Sequence, residues 1–145
     1  MIMTLKVTLI RGAYCCDKWV ANLELEESST LEDLHYAIQK VVGFDNDHLY
    51  CFFRSRTDRS FIREYFNDEN EQIFRETVKS MFPLPVKQSL YYLFDWGDEW
   101  IFKISQSRKR PHEPVKGMTY PRMESESGIK PKQYSFADED DDDEE

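Results

Sequence analysis

The sequence predicts an α+β domain: a mostly antiparallel sheet of about five strands packed on one main helix, followed by a flexible C-terminal arm. Three observations predict it. Residues 91–104 read YYLFDWGDEWIFKI, two apolar runs around an acidic turn, and apolar and polar residues also alternate over 4–10 and 19–25. A single strongly capped helical pattern separates these alternating segments from the rest, and period two marks strands as period 3.6 marks a helix.

Taken in order, Leu5, Val7 and Leu9 line one face of a first strand and Thr4, Lys6 and Thr8 the other. Trp19, Ala21, Leu23 and Leu25 repeat the pattern in a second, antiparallel to the first. Ser29 followed by Glu32 has the spacing of a capping box, and Leu31, Leu34, Ile38 and Val41 recur every three or four residues up to Gly43. Asp33 near its start and Lys40 near its end agree with the helix dipole, so a helix is expected over 31–42. Residues 49–54 form an aromatic third strand. Arg54, Arg56, Arg59 and Arg63 mix with Phe61, Ile62, Tyr65 and Phe66 in no clean period, so 55–72 is expected to be irregular. A short second helix over 73–81 ends before Pro83 and Pro85.

The two strands of 90–94 and 100–104 then close the domain as a hairpin at the centre of the core. Its five-residue loop, Asp95, Trp96, Gly97, Asp98 and Glu99, is expected to place a positive φ at Gly97. Cross-strand aromatic pairs would hold it together.

Composition sets the boundaries. Fifty of the apolar residues lie in 1–104 and only eight in 105–145. The domain is therefore expected at 1–104, with an extended basic arm packed on or near it over 105–134 and a disordered acidic tail over 135–145. Net charge divides the same way: −5 in 1–104, +4 in 105–137 and −8 in 138–145, which together make the −9 of the chain. A domain without basic excess does not suit a surface that tracks phosphates, so direct nucleic-acid binding is not expected.

The amino-terminal residues have no basic region ahead of an apolar core, and no run of 18 apolar residues occurs, so neither a signal peptide nor a membrane partner is expected. Three cysteines, Cys15, Cys16 and Cys51, make no disulfide framework or zinc spacing. The expectation is a cytoplasmic protein with no cofactor.

The order of strand, strand, capped helix, Asp47-His48-Leu49, aromatic strand, and finally Asp95, a large aromatic, Gly97, Asp98, a variable residue and Trp100 resembles the uncharacterised plasmid open-reading-frame-three-like family, named after a hairy-root plasmid. The resemblance covers residues 4–104, and the Asp-aromatic-Gly-Asp-x-Trp motif is its most specific part. It implies a compact α+β domain and brings no established reaction. Members often carry histidines where this chain has Tyr50 and Phe102, and a cysteine-bearing segment beyond, which 105–134 lacks.

The candidate site residues are His48, Asp95, Asp98, Trp100 and Tyr92. His48, Asp95 and Asp98 are the only candidates for a metal, since carboxylates with an imidazole suit a hard divalent cation that activates water. The reading favoured over this is that both aspartates bond their own backbone, as Asp in a turn commonly does, and that His48 merely opens a strand, so no metal is expected. His35 flanks the apolar helix face as a half-buried core histidine. No Gly-x-Ser-x-Gly and no glycine-rich phosphate loop is present. The function expected is a non-catalytic protein-interaction domain with an acidic regulatory tail and a protein partner of basic character. The alternatives are a divalent-metal-dependent hydrolase and a nucleic-acid accessory protein of mobile elements.

Overall fold

Residues 1–12 and 17–133 are described in the computed structural model. Cys15, Cys16, Tyr134 and the acidic tail expected at 135–145 lie outside the described residues.

Among the described residues, seven strands form one antiparallel sheet, β1 (Ile2–Arg11), β2 (Trp19–Glu26), β3 (Tyr50–Ser55), β4 (Glu64–Phe66), β5 (Ser89–Phe94), β6 (Trp100–Gln106) and β7 (Arg122–Gly128). Their spatial order is β4-β3-β5-β6-β1-β2-β7, so the β5–β6 hairpin lies in the middle. Three helices accompany them among the described residues, α1 (Leu31–Val42), α2 (Gln72–Arg75) and α3 (Val78–Met81).

The expected five strands on one main helix are therefore corrected to seven strands and three short helices. Both additional strands are edges. β4 has three residues inside the stretch read as irregular and pairs only with β3. β7 lies in the arm and pairs with β2, Leu23 opposite Met123 and Asn22 opposite Ser125. An edge strand is covered on one side only, so neither needs the alternating pattern that reveals a central strand. The expected 73–81 helix is two helices, α2 and α3, separated by extended backbone at Glu76 (ψ 135°).

Period two places Leu5, Val7, Trp19, Leu23, Phe52, Leu90, Tyr92, Phe94, Trp100 and Phe102 on one face of the sheet, where α1 presses Leu31, Leu34, Ile38 and Val42 against them. A smaller cluster of Cys51, Phe53, Tyr91, Leu93 and Ile101 fills the opposite face, beneath the excursion between β3 and β4. The Arg63 guanidinium lies 4.2 Å from the centre of the Phe53 ring and is tied to the Asp58 and Ser60 carbonyls, so the excursion is folded down onto the sheet.

α1 has the expected limits but caps one residue later than the Ser29/Glu32 spacing suggested: Thr30 accepts from the Asp33 amide, and Asp33 accepts from the Thr30 amide. Gly43 closes the helix at φ 80°. In the hairpin loop the positive φ falls on Asp95 (67°) and Glu99 (52°) and not on Gly97. Asp tolerates the left-handed region because its side chain bonds locally.

Candidate functional site

Asp95 is held by its own loop. Its amide donates to the Leu49 carbonyl at 2.9 Å, and its carbonyl accepts from Glu99 at 2.6 Å. Its Oδ1 accepts from the amides of Gly97 at 3.1 Å and Asp98 at 3.4 Å. The second carboxylate oxygen, Oδ2, lies 3.4 Å from His48 Nε2, and Asp47 Oδ1 lies 3.6 Å from the same nitrogen. His48 and Asp95 thus meet at the surface, the imidazole half-exposed and the Asp95 carboxylate nearly covered. Partial burial, and then the neighbouring Asp95 charge, push the Asp98 carboxyl up. Among the described residues, no group of three or more His, Cys, Asp or Glu side chains is arranged to hold a metal ion.

Trp100 and Tyr92 are placed elsewhere. Both are fully buried on the helix face of the sheet. Trp100 packs against Phe44, ring centres 5.0 Å apart, and a Cβ on Gly12 would come within 2.2 Å of its indole.

Tyr92 belongs instead to a buried polar network between α1 and the sheet. Its hydroxyl lies 2.5 Å from His35 Nδ1 and accepts from Gln39 Nε2 at 3.0 Å. His35 Nε2 lies 2.8 Å from Asn46 Oδ1, and Gln39 Oε1 accepts from the Asn46 backbone amide at 2.9 Å. Because an amide oxygen only accepts, this bonding pattern assigns the imidazole proton to Nε2 and leaves Nδ1 to accept from Tyr92. His35 also stacks on Tyr50, ring centres 3.5 Å apart. It is 1 % exposed, not half-buried as the helix flank suggested. Burial lowers its pKa to about 4, against a smaller opposing effect of Asn46.

A second polar centre had no motif to announce it. Glu24 on β2 is 3 % exposed, and three arm side chains close on it: Lys109 Nζ at 2.9 Å, His112 Nε2 at 3.4 Å and the Arg122 guanidinium. Burial pushes this carboxyl up, but hydrogen bonds from Lys109, Arg122 and His112 outweigh it and hold the pKa below the usual value. The main chain continues the attachment, with Ile2 and His112 exchanging two backbone hydrogen bonds. At the far end of the arm, Gln133 donates to Asp47 at 2.7 Å and accepts from the Asp45 amide at 2.6 Å.

The third feature is apolar. Arg54, Ile62, Arg63, Glu64, Pro85 and Val86 line an open groove beside β4. Ile62 is 88 % exposed and Val86 87 %, and Phe61, which precedes Ile62 in the chain, is fully exposed. Arg54 pairs with Glu64 across β3 and β4 at 2.5 Å, whereas Arg56 and Arg59 are exposed. The signal was in the sequence, three large apolar residues in segments with no period to bury them, but without the fold it could not be told from a loose loop.

No helix among the described residues is long and apolar enough to cross a membrane. The chain is similar to a protein of unknown function, MM3350, from Methanosarcina mazei Go1, whose crystal structure superposes with a TM-score of 0.67 at 20 % identity, over 86 % of this chain and 68 % of that one. That likeness concerns the fold. A search of curated proteins gives no match. The family model for the plasmid pRiA4b ORF-3-like protein matches residues 2–133, taking in the sheet, the helices and the arm that carries β7. The chain belongs to the plasmid pRiA4b ORF-3-like family.

Proposed function

We propose that this chain is a non-catalytic protein-interaction domain whose docking surface is the groove beside β4. The observation that carries the reading is the exposure of Ile62 and Val86, which both line the groove, with the exposed Phe61 adjoining Ile62 in the chain. Large apolar side chains gathered beside a short sheet edge, with arginines around them, have the composition of an interface core with a polar rim. Truncating such anchors costs binding and not folding, since they touch little in the free protein.

The Ile62→Asp/Val86→Asp variant is expected to keep its unfolding midpoint, with stability changed by less than about 0.5 kcal/mol per site. Binding of its partner should weaken roughly 30-fold or more, the scale of a lost hot spot. Comparative capture from the native lysate reads this directly: a protein retained by the wild type and lost by the variant supports the surface, and identical captured sets remove it.

One observation favours a second reading, a divalent-metal-dependent hydrolase: the approach of His48 Nε2 to Asp95 Oδ2. Calorimetric titration with magnesium, manganese and zinc separates the two. The interaction reading expects no heat that depends on Asp98. Saturable binding abolished by Asp98→Ala would favour the hydrolase instead.

A further inference from the structure

We propose that residues 45–48 form a latch that seats the buried His35 network and the end of the arm together, so that a charge on His35 and release of Gln133 favour one another. The loop is anchored at both ends. Phe44 is buried, its ring against Phe94, Trp100 and Phe102 and its amide on the Gln39 backbone carbonyl. The Leu49 carbonyl accepts from the Asp95 amide at 2.9 Å. Residues 45–48 between these anchors are exposed, and side chains bond them from two sides.

On the inner side stands Asn46, at φ 52° in the left-handed region that asparagine tolerates. Its amide donates to Gln39 Oε1, and its Oδ1 accepts from His35 Nε2. On the outer side Gln133, 7 % exposed, bridges the two residues that flank Asn46: its Oε1 accepts from the Asp45 amide and its Nε2 donates to Asp47. The network and the arm therefore grip adjacent residues of one short loop, and a swing of that loop breaks both sets of bonds at once.

A charged His35 needs water, and the loop is its shortest way there. The rings around the imidazole are Tyr92 and Phe94 on β5, Tyr50 on β3 and Tyr36 on α1. Those on the strands cannot withdraw without breaking the pairing of β5 with β3 and β6. The three tyrosines carry no charge in acid. Glu32 on α1 and Asp68 ahead of α2 bear on Tyr50, and the effects felt by His35 itself are burial and Asn46. The charged groups on the loop are Asp45, Asp47 and His48, the last turned toward Asp47 and Asp95. Charge then enters through the open loop, and whatever eases opening raises the His35 midpoint by the same factor, because the coupling is reciprocal.

NMR titration of the imidazole signals in the full chain tests this, with His35→Gln assigning the signal among the three histidines. Gln133→Ala removes two hydrogen bonds from the loop and is expected to favour opening about tenfold, which raises the His35 midpoint by about one pH unit. The Asn46 amide, bonded to Gln39 and not to Gln133, should exchange about tenfold faster in the same variant. Lys109→Ala loosens the arm at Glu24, away from the loop, and should leave the His35 midpoint at its wild-type value. A midpoint or an Asn46 amide that does not respond to Gln133→Ala overturns the proposal. An equal rise in both variants also overturns it, since the arm would then act by general loosening and not through the latch.

Discussion

Lowering the pH from 7 to 4 is expected to remove about 3 kcal/mol of stability through His35 alone. The folded protein keeps this imidazole neutral, because burial lowers its pKa to about 4 from an ordinary 6.5. Above pH 6.5 the side chain is neutral in both folded and unfolded chains, and the contribution is complete. Between pH 6.5 and 4 the unfolded chain takes up a proton that the folded one refuses, so stability falls at up to about 1.4 kcal/mol per pH unit. Below pH 4 this contribution levels off.

The network explains the refusal. A proton on Nδ1 would face the Tyr92 hydroxyl, which already accepts from Gln39, and the new charge would lie 1 % exposed against Tyr50 and Phe94. Urea unfolding at half-unit steps measures the slope, and the His35→Gln variant supplies the control. Its curve between pH 6.5 and 4 should be flatter by most of the 3 kcal/mol, even though it is less stable at pH 7. Equal slopes in the two proteins would mean that His35 is free to charge in the folded state and that the network is not closed.

The parts legible in the sequence were those whose reasons are local. β1, β2 and the β5–β6 hairpin alternate because one face of each meets the helix, and α1 shows its apolar spacing and its Gly43 stop within twelve residues. β7 carries Glu124, Ser125, Glu126 and Ser127; its apolar packing on the core is Met123, and Glu126 accepts from the buried Trp19 indole, so nothing local marks it. It exists because β2 offers a free edge, and that edge is more than ninety residues away in the chain. Of the candidate site, proximity of His48 to Asp95 could be expected from the strand order, since β3 begins just after one and β5 ends just before the other. The separation of Tyr92 and Trp100 from that pair could not, since both face the helix across a sheet whose register no motif reveals. Glu24 was invisible for a related reason: its alternation places it on the face away from α1, which reads as solvent until the arm covers it.

Glu24→Ala is accordingly expected to cost about 3 kcal/mol, at the lower end for removing one member of a buried ion pair. The lower end applies because Lys109, His112 and Arg122 are themselves partly exposed and can turn to water once the carboxylate is gone. Lys109→Ala removes only a half-exposed partner and should cost clearly less than Glu24→Ala. The asymmetry follows from where the desolvation lies, almost entirely on the acid. Its loss should be felt along the attachment it anchors, with the amides of Ile2, His112 and β7 exchanging faster while the β5–β6 hairpin keeps its protection. Acid should mimic the substitution, since a carboxyl held below its usual pKa contributes above that value and loses the contribution as the pH falls through the lowered one. A Glu24→Ala protein that loses less than about 1 kcal/mol in urea unfolding, with β7 protection intact, would show that the arm is held by its backbone pairing with β2 and that the three cations are solvated neighbours of an indifferent carboxylate.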